Sequence, residues 1–509
     1  MFSLTYSAAI NGIDADIVEV ETYISNGMPG FFIVGLPDTA VKESRDRVAA
    51  ALKNSGFDFP PKKITVNLAP ADTKKEGGIF DLPIALGILS ASGIIKKDSL
   101  LGFCIAGELA LDGKIRKVKG ILPIALSLSK TKIKKIIVPF ANRQEAAASR
   151  SVSAFSFKTL DEVVKFINGT TQCEPYIYND DENTATVSNS YDFADIKGQK
   201  NAKRAVEISA AGGHNILMSG PPGSGKTMIA KRMPSILPPM TFEESVETTK
   251  IWSSAGHNFS GGLIKQRPFR SPHHTISAIA LAGGGAYPKP GEVSLSHNGI
   301  LFLDELPEFR RDALEILRQP LEDKKIMVSR TKNTFVFPAS FMLVTAMNPC
   351  PCGNLGHREK QCICTPYQIQ KYRGKISGPL MDRIDIYIEV PALKFLELTE
   401  IKDVGEHSQE IKQRVTLARE IQNKRFKGTG IYVNAQMRSK EIKKHCILDD
   451  KSYAFLKNTV EKLNFSARSY DKILKVARTI ADLENESSIK VNHISQAVQY
   501  RFLDRQMGN

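Results

Sequence analysis

Hydrophobic and polar positions divide the chain of 509 residues into blocks that differ in periodicity. In residues 1–168, the short apolar runs 64–68 and 136–138 predict strands, and segments 40–55 and 81–92 carry apolar residues at helical spacing. This alternation indicates an N-terminal domain that mixes strands and helices.

The rest of the chain changes character twice. Residues 169–190 are polar and acidic with little periodicity, which is typical of a linker. Residues 191–393 contain apolar runs that predict buried strands. From 394 to 509 no strand pattern persists, and the helical spacing of apolar residues predicts a helical C-terminal domain, with helices near 405–424, 449–463 and 470–483.

A glycine-rich turn in the block 191–393 carries the strongest chemical signal. Asn215–Ser219 has the pattern of a short buried strand, Met228–Met233 that of a helix, and residues 220–227 between them fit G-x-x-x-x-G-K-[ST]. In such a P-loop, backbone N–H groups face phosphate, the lysine reaches the β and γ oxygens, and the hydroxyl binds Mg²⁺. We therefore predict that ATP and Mg²⁺ bind at Gly220, Pro221, Pro222, Gly223, Ser224, Gly225, Lys226 and Thr227.

Two carboxylates follow a second apolar run, Gly299–Leu303. Such a run predicts a central strand, and the carboxyl end of a strand is where an open α/β sheet binds its ligand. We expect Asp304 to hold Mg²⁺ together with Thr227, and Glu305 to orient and deprotonate the attacking water. The alternative is a strand end capped by solvated acids.

Three further residues complete the predicted catalytic set. Phe341–Met347 predicts another buried strand, and the amide of Asn348 after it can hold the water or sense the γ-phosphate. An asparagine there is otherwise turn chemistry. Arg383 follows a helix start, and Arg468 opens a C-terminal helix; either arginine alone is more often part of a surface salt bridge.

The motifs GPPGSGKT, ILFLDE, SGPLMDRID and SARSYDKILKVARTIADL together resemble an AAA+ ATPase of the magnesium-chelatase-like ComM/YifB family, over nearly the whole chain. The resemblance implies an α/β AAA+ P-loop core, here 191–393, with a C-terminal helical lid, here 394–509. It implies that Arg383 is an arginine finger that reaches the neighbouring subunit's site and that Arg468 is the sensor-2 arginine of the lid. Both roles imply a ring, usually a hexamer.

The N-terminal block resembles a second family. Segments 76–82 and 107–115 are similar to parts of the Lon protease domain, which implies a Lon-protease-like α+β domain of the ribosomal S5 domain 2-like kind at 1–168. Ile79 stands where that family has its nucleophilic serine, and Leu122 stands near the position of its lysine. Because a Ser-Lys mechanism needs a hydroxyl and an amine, we expect no protease activity from this domain.

The net charge and the distribution of apolar residues limit the classes of partner and the cellular locations that the sequence favours. The formal net charge is +15 and the pI is about 9.3, which favours a polyanionic partner but also fits a plain solubility charge. The first residues carry neither a basic segment nor a long apolar one, and the apolar run 79–95 contains Asp81 and Pro83. We therefore expect no export signal, no membrane association and a cytoplasmic location.

Four of the seven cysteines lie within fifteen residues, as Cys350, Cys352, Cys362 and Cys364. Two C-x-C pairs can supply four sulfurs to a structural Zn²⁺ site, although C-x-C is tighter than the usual spacing. His357 is a spare candidate ligand. The alternative is a set of small thiols without metal.

A hairpin and a histidine pair remain. Ile326–Ser329 and Thr334–Phe337 predict two strands of a hairpin whose tip carries Arg330 and Lys332. In related rings a hairpin here projects into the pore, so these side chains would meet DNA phosphates; a solvated tip is the equal alternative. His273 and His274 lack H-E-x-x-H spacing, and we assign them to an insert or structural role.

Together these features predict a hexameric, ATP-hydrolysing AAA+ motor that acts on single-stranded or branched DNA. The resemblance implies a helicase or translocase for branch migration in recombination during natural transformation. Two alternatives stay open. One is a chelatase-type ATPase that remodels a protein partner during metal insertion, and the other, weaker because of Ile79 and Leu122, is an ATP-dependent protease.

Overall fold

The computed structural model describes residues 1–508 apart from 72–73, 97, 180–190, 258–261, 286–287, 330–333, 358–359 and 393–404. The described residues form two compact units that interleave along the chain. The first comprises 1–186, 241–264 and 287–290, and the second comprises 187–240, 265–286 and 291–509. The division expected from the sequence, into consecutive segments 1–168, 169–190, 191–393 and 394–509, remains a prediction.

The first unit is built on a seven-stranded mixed sheet. In spatial order its strands are Gly30–Val34, Lys63–Ala69, Asp14–Ser25, Phe2–Asn11, Phe103–Ile105, Lys135–Pro139 and Ser153–Phe157. The helices are Thr39–Asn54, Asp81–Ala91, Ile121–Leu128, Arg143–Ala147, Leu160–Ile167 and Phe242–Ala255, with 3₁₀ turns at Gly78–Phe80 and Phe140–Asn142 and short strands at Glu108–Leu109, Ile115–Arg116 and Lys289–Pro290. The predicted strands 64–68 and 136–138 and helices 40–55 and 81–92 are confirmed.

The helix Asp81–Ala91 explains the long apolar run in this unit. Ten of its eleven residues are buried, so it is a core helix. Asp81 is fully buried, and its carboxylate accepts hydrogen bonds from Ser44 and from Arg47 Nε at 2.7 Å. Burial raises the pKa of Asp81, and the paired guanidinium opposes that rise.

The helix Phe242–Ala255 belongs to the first unit although the P-loop precedes it in the chain. Ser253 Oγ accepts a hydrogen bond from the N–H of Gly120 at 3.1 Å and donates one to the carboxylate of Glu145. The guanidinium of Arg150 lies 4.1 Å from the ring centroid of Phe242. These contacts bring a later segment of the chain into the N-terminal unit.

The second unit contains a five-stranded parallel sheet. Its strands in spatial order are Phe269–Arg270, Ile300–Leu303, Met342–Met347, Ile216–Ser219 and Ile386–Glu389. The core helices are Lys200–Gly212, Lys226–Ile236, Ala278–Ala282, Glu292–Leu295, Arg311–Ile316, Arg318–Asp323, Pro366–Arg373 and Gly378–Met381, with 3₁₀ turns at Phe193–Asp195 and Leu306–Glu308, a short strand at Gly283–Gly284 and a hairpin of Lys325–Ser329 and Thr334–Pro338.

A helical region follows the sheet, as the sequence predicted. Its elements are Ser408–Arg425, Asn434–Gln436 (3₁₀), Ser439–His445, Asp450–Leu463, Ala467–Leu483 and Val491–Gly508. The buried carboxylate of Asp482 ties this region together, since it accepts hydrogen bonds from Arg425, Arg478 and Asn434. Throughout the described part of the chain, no helix is both long and apolar enough to cross a membrane.

Candidate active site

The P-loop follows the strand Ile216–Ser219, which lies between two neighbours in the parallel sheet. The helix Lys226–Ile236 begins directly after Gly225, whose φ of 92° is a left-handed conformation that favours glycine. Gly220 lies so close to the next strand that a Cβ there would be 2.1 Å from the carbonyl oxygen of Val390. The backbone therefore turns sharply and presents a helix N-terminus, where anions bind readily.

Lys226 is 8% exposed, and its ammonium lies across the loop. Nζ donates to the carbonyl oxygens of Gly220 at 2.7 Å and Pro221 at 2.9 Å. Burial lowers the pKa of Lys226, and the negative charges of Asp304 and Glu305 oppose that lowering. The lysine charge is thus stabilised mainly by backbone carbonyls and by two nearby carboxylates.

The hydroxyl and carboxylate predicted to hold Mg²⁺ lie together. Thr227 Oγ1 donates to Asp304 Oδ2 at 2.6 Å, although the two residues are far apart in sequence. A hydroxyl and a carboxylate in contact form a set of hard oxygen ligands that suits Mg²⁺.

Glu305 has a φ of 52° and a ψ of 47°, a left-handed conformation that is uncommon for a residue other than glycine. Its backbone N–H donates to Asp304 Oδ1 at 2.9 Å, and its side chain is 56% exposed. Such a conformation costs on the order of 1–3 kcal/mol and is often found at functional sites. It turns the Glu305 carboxylate away from the direction that a continuing strand would give it.

Asn348 lies at the same edge. Its Oδ1 is 3.4 Å from Lys226 Nζ. The sheet thus brings together five of the residues predicted from separate motifs, namely Lys226, Thr227, Asp304, Glu305 and Asn348.

His274 is a site residue that the sequence analysis missed. Its Nδ1 lies 3.4 Å from Glu305 Oε2, and its ring is 4.0 Å from that of His273 between centroids. The strand Phe269–Arg270 pairs in parallel with Ile300–Leu303, so the loop after each strand emerges at the same edge. The parallel order of the strands is the signal that places His274 beside Glu305.

The two predicted arginines lie at the other edge of the sheet. Asn215 precedes the P-loop strand, and its side-chain amide donates to the carbonyl oxygen of Arg383 at 2.8 Å. Five residues, or about 16 Å of extended chain, separate Asn215 from Gly220. Arg468 Nη1 donates to Asp382 Oδ2 at 2.7 Å and so lies in the same region. The contacts of both arginines thus place them on the side of the sheet where the P-loop strand begins.

The four clustered cysteines converge. The Cys350 Sγ lies 3.4 Å from that of Cys352 and 3.6 Å from that of Cys362, and all four sulfur atoms lie within 4.8 Å of one another. A tetrahedral site with Zn–S bonds of about 2.3 Å separates its sulfur atoms by about 3.8 Å, so the cluster fits Zn²⁺. Backbone N–H groups lower the pKa of Cys352 to about 6, which favours a thiolate.

The cysteine loop also contacts the P-loop. A Cβ added to Gly353 would lie 2.5 Å from Cδ of Pro222, so these two residues pack directly. His357, the spare candidate ligand, accepts a hydrogen bond at Nδ1 from the N–H of Lys360 and does not belong to the four-residue cluster. Arg330 and Lys332 lie outside the described residues.

Comparison with known families accounts for most of the chain. The family model "Magnesium chelatase, subunit ChlI" matches residues 192–398, "Subunit ChlI of Mg-chelatase" matches 20–142, and "Magnesium chelatase, subunit ChlI C-terminal" matches 405–501. Each of these matches describes what this chain is similar to.

Full-length relatives agree with these matches. The chain is 46% identical over 505 residues to the competence protein ComM of Haemophilus influenzae, covering 99% of this chain and 98% of that protein. It is 43% identical over 503 residues to YifB of Salmonella typhimurium, covering 99% and 97%. A shorter similarity, 27% over 188 residues, covers 31% of this chain and 33% of Lon protease 2 of Bacillus subtilis. This chain therefore belongs to the magnesium-chelatase-like ComM/YifB family, with an AAA+ core and a Lon-like part.

Proposed function

We propose that this protein is an ATP-hydrolysing ring motor that acts on DNA. Family membership supports the ATPase, and the observation that carries the proposal is the convergence of Lys226, Thr227, Asp304, Glu305 and Asn348 at one sheet edge. These residues come from three parallel strands and the loops after them, which is the arrangement that phosphoryl transfer needs.

Each residue has a role in this proposal. Lys226 exchanges its carbonyl partners for phosphate oxygens, and Thr227 with Asp304 would hold Mg²⁺, which supplies charge neutralisation for the transferred phosphoryl group. Glu305 takes the proton of the attacking water, and Asn348 contacts the same region. His274, whose Nδ1 lies 3.4 Å from Glu305 Oε2, is placed to orient that carboxylate.

The first prediction separates binding from hydrolysis. Glu305→Gln keeps the ligands Thr227 and Asp304 but cannot accept a proton, so ATP turnover should fall by about 10²–10⁴-fold while nucleotide still binds. Lys226→Ala should lose productive nucleotide binding. Steady-state phosphate release and binding of a fluorescent ATP analogue measure the two effects. Near-normal turnover by Glu305→Gln would show that another group is the base.

We propose further that each nucleotide site is shared between neighbouring subunits of a hexamer. The position of Arg383 and Arg468 near the amino end of the P-loop strand supports this, because the P-loop follows the opposite, carboxyl end of that strand. An arginine that stabilises the transferred phosphoryl group from a neighbouring subunit can raise turnover by about 10³–10⁵-fold.

The second prediction uses mixed rings. Arg383→Ala should retain nucleotide affinity and lose about a thousandfold or more of its turnover. Mixing it with the inactive Lys226→Ala protein should restore part of the activity, because some interfaces then combine an intact P-loop with an intact arginine. The mixed assemblies are verified by differential tagging, and Lys226→Ala alone is the control. Rings of verified mixed composition that stay inactive would contradict a shared site.

We propose that Cys350, Cys352, Cys362 and Cys364 hold one structural Zn²⁺. Convergence of the four sulfur atoms supports this. The ion would fix the loop that packs against Pro222.

The third prediction concerns this metal. Protein purified without chelator should contain about one Zn²⁺ per chain by elemental analysis, and Cys350→Ser/Cys352→Ser should lose it. Cys173→Ser, a change at a cysteine outside the cluster, is the control and should retain the metal. Absence of zinc from the unmodified protein would overturn the assignment.

DNA as the substrate is supported by the net charge of +15 and by the hairpin Lys325–Pro338. One relative bears the name "Competence protein", and we propose that this chain likewise acts in a cytoplasmic recombination step, by branch migration during natural transformation. A chelatase-type remodeller of a protein partner is the alternative. Ile79 is 8% exposed and Leu122 is fully buried. These apolar side chains stand at or near the positions of the Lon catalytic pair, which disfavours a protease.

The fourth prediction tests the DNA substrate. Arg330→Ala/Lys332→Ala should weaken DNA-stimulated ATP turnover, spare basal turnover and flatten the salt dependence of DNA affinity by roughly one unit per lost phosphate contact. Lys451→Ala/Lys457→Ala removes the same charge from exposed positions of another helix. This control should change neither DNA-stimulated turnover nor the salt dependence of DNA affinity. Assembled protein that neither binds DNA at low salt nor changes its turnover with DNA would favour the chelatase-type alternative.

A further inference from the structure

Arg383 is held by an acidic side chain of its own chain. Its Nη2 donates to Glu322 Oε1, and its Nη1 donates to the carbonyl oxygen of Pro379 at 2.7 Å. The Arg383 side chain is only 14% exposed, whereas that of Glu322 is 59% exposed. An arginine that must reach a phosphate of another subunit is therefore folded back onto its own surface.

Glu322 lies at the base of the hairpin. It belongs to the helix Arg318–Asp323, which ends at Lys324, and the first hairpin strand begins at the next residue. The N–H of Ala339, just after the second strand, donates to the carbonyl oxygen of Lys324 at 2.8 Å and closes the base. A displacement of the hairpin would therefore change the position of Glu322.

The base of the hairpin is buried while its outer face is not. Ile326 is 2% exposed and Phe337 is fully buried, and these two residues pair across the strands. Met327 and Val336, the next pair, are each 47% exposed. The hairpin is thus an exposed arm whose anchored end meets the helix that carries Glu322.

An electrostatic interaction also links this base to the segment after Arg383. Burial lowers the pKa of Lys324, and the negative charge of Asp385 opposes that lowering. The N–H of Asp385 in turn donates to the carbonyl oxygen of Asn215 at 3.0 Å, next to the P-loop strand. At the hairpin base, Glu322 therefore contacts Arg383 directly, and the charge of Lys324 interacts electrostatically with that of Asp385.

We infer that Glu322 is a positioning residue that holds Arg383 away from the neighbouring subunit's nucleotide. When the hairpin moves, Glu322 releases Arg383. The inference rests on the proposed ring motor. Through the hairpin and Glu322, a polymer that contacts the hairpin would raise ATP turnover. In the resting assembly the Glu322 carboxylate competes with the γ-phosphate for the same guanidinium, so it suppresses turnover without contacting nucleotide.

The size of the expected effect on turnover follows from the solvent exposure of the Arg383–Glu322 ion pair. Because Glu322 is half exposed, its ion pair with Arg383 is weak enough to be exchanged for a phosphate, and its loss should change an equilibrium by roughly fivefold. A buried pair would hold the arginine permanently.

The test compares Glu322→Gln with Asp323→Asn in the assembled full-length protein. Both changes remove one exposed carboxylate from the same helix turn, but only Glu322 contacts Arg383. Basal ATP turnover, measured without DNA, should rise about fivefold in Glu322→Gln and stay unchanged in Asp323→Asn, with KM for ATP unchanged in both. Adding unstructured oligothymidine should then stimulate Glu322→Gln less, in proportion, than the unmodified protein.

Two outcomes overturn the inference. Unchanged or lower basal turnover in Glu322→Gln that assembles and melts like the unmodified protein would show that Glu322 does not restrain Arg383. Elevated turnover that persists in Glu322→Gln/Arg383→Ala would show that the effect does not pass through Arg383. If oligothymidine leaves the unmodified protein unaffected, the DNA-motor proposal fails separately, since the basal comparison contains no DNA.

Discussion

The parallel register of the five-stranded sheet is the constraint on which the rest of the second unit depends. Because Ile216–Ser219, Ile300–Leu303 and Met342–Met347 run in the same direction in adjacent positions, the residues that follow each strand meet at one edge. The 2.6 Å contact between Thr227 and Asp304 is a direct consequence. Strands of four to six buried residues suffice, since parallel pairing aligns their ends.

The same register separates the two functional ends of the unit. Gly220 follows the carboxyl end of the P-loop strand, whereas Asn215, which binds the Arg383 backbone, precedes its amino end. In the proposed ring, one polypeptide would carry half of a site at each edge, and subunits stacked edge to edge would complete it. The weak pair between Arg383 and Glu322 is compatible with this arrangement, because an arginine in a permanent buried pair could not be exchanged between partners.

Loops that pack on the site link it to more distant features. Gly353 brings the cysteine cluster against Pro222, and His274 brings the edge strand against Glu305. In both cases a segment outside the P-loop and the Asp304–Glu305 pair lies against a residue of the candidate site. At the other edge, where the hairpin begins, Glu322 contacts Arg383.

The sequence by itself determined the elements whose signals are local. The apolar runs, the P-loop residues 220–227, the strand before Asp304 and the helix 467–483 depend on residues adjacent in the chain, and each agrees with its pattern. Tertiary structure alone decided which distant segments meet. The sequence around His274 lacks H-E-x-x-H spacing and so indicates a structural role, whereas the fold brings His274 beside Glu305, 31 positions away. The helix 242–255 joins the first unit through Gly120 and Glu145, which no periodicity could indicate. Side-chain spacing encodes which face of an element is buried, whereas the order of strands in a sheet sets which loops become neighbours.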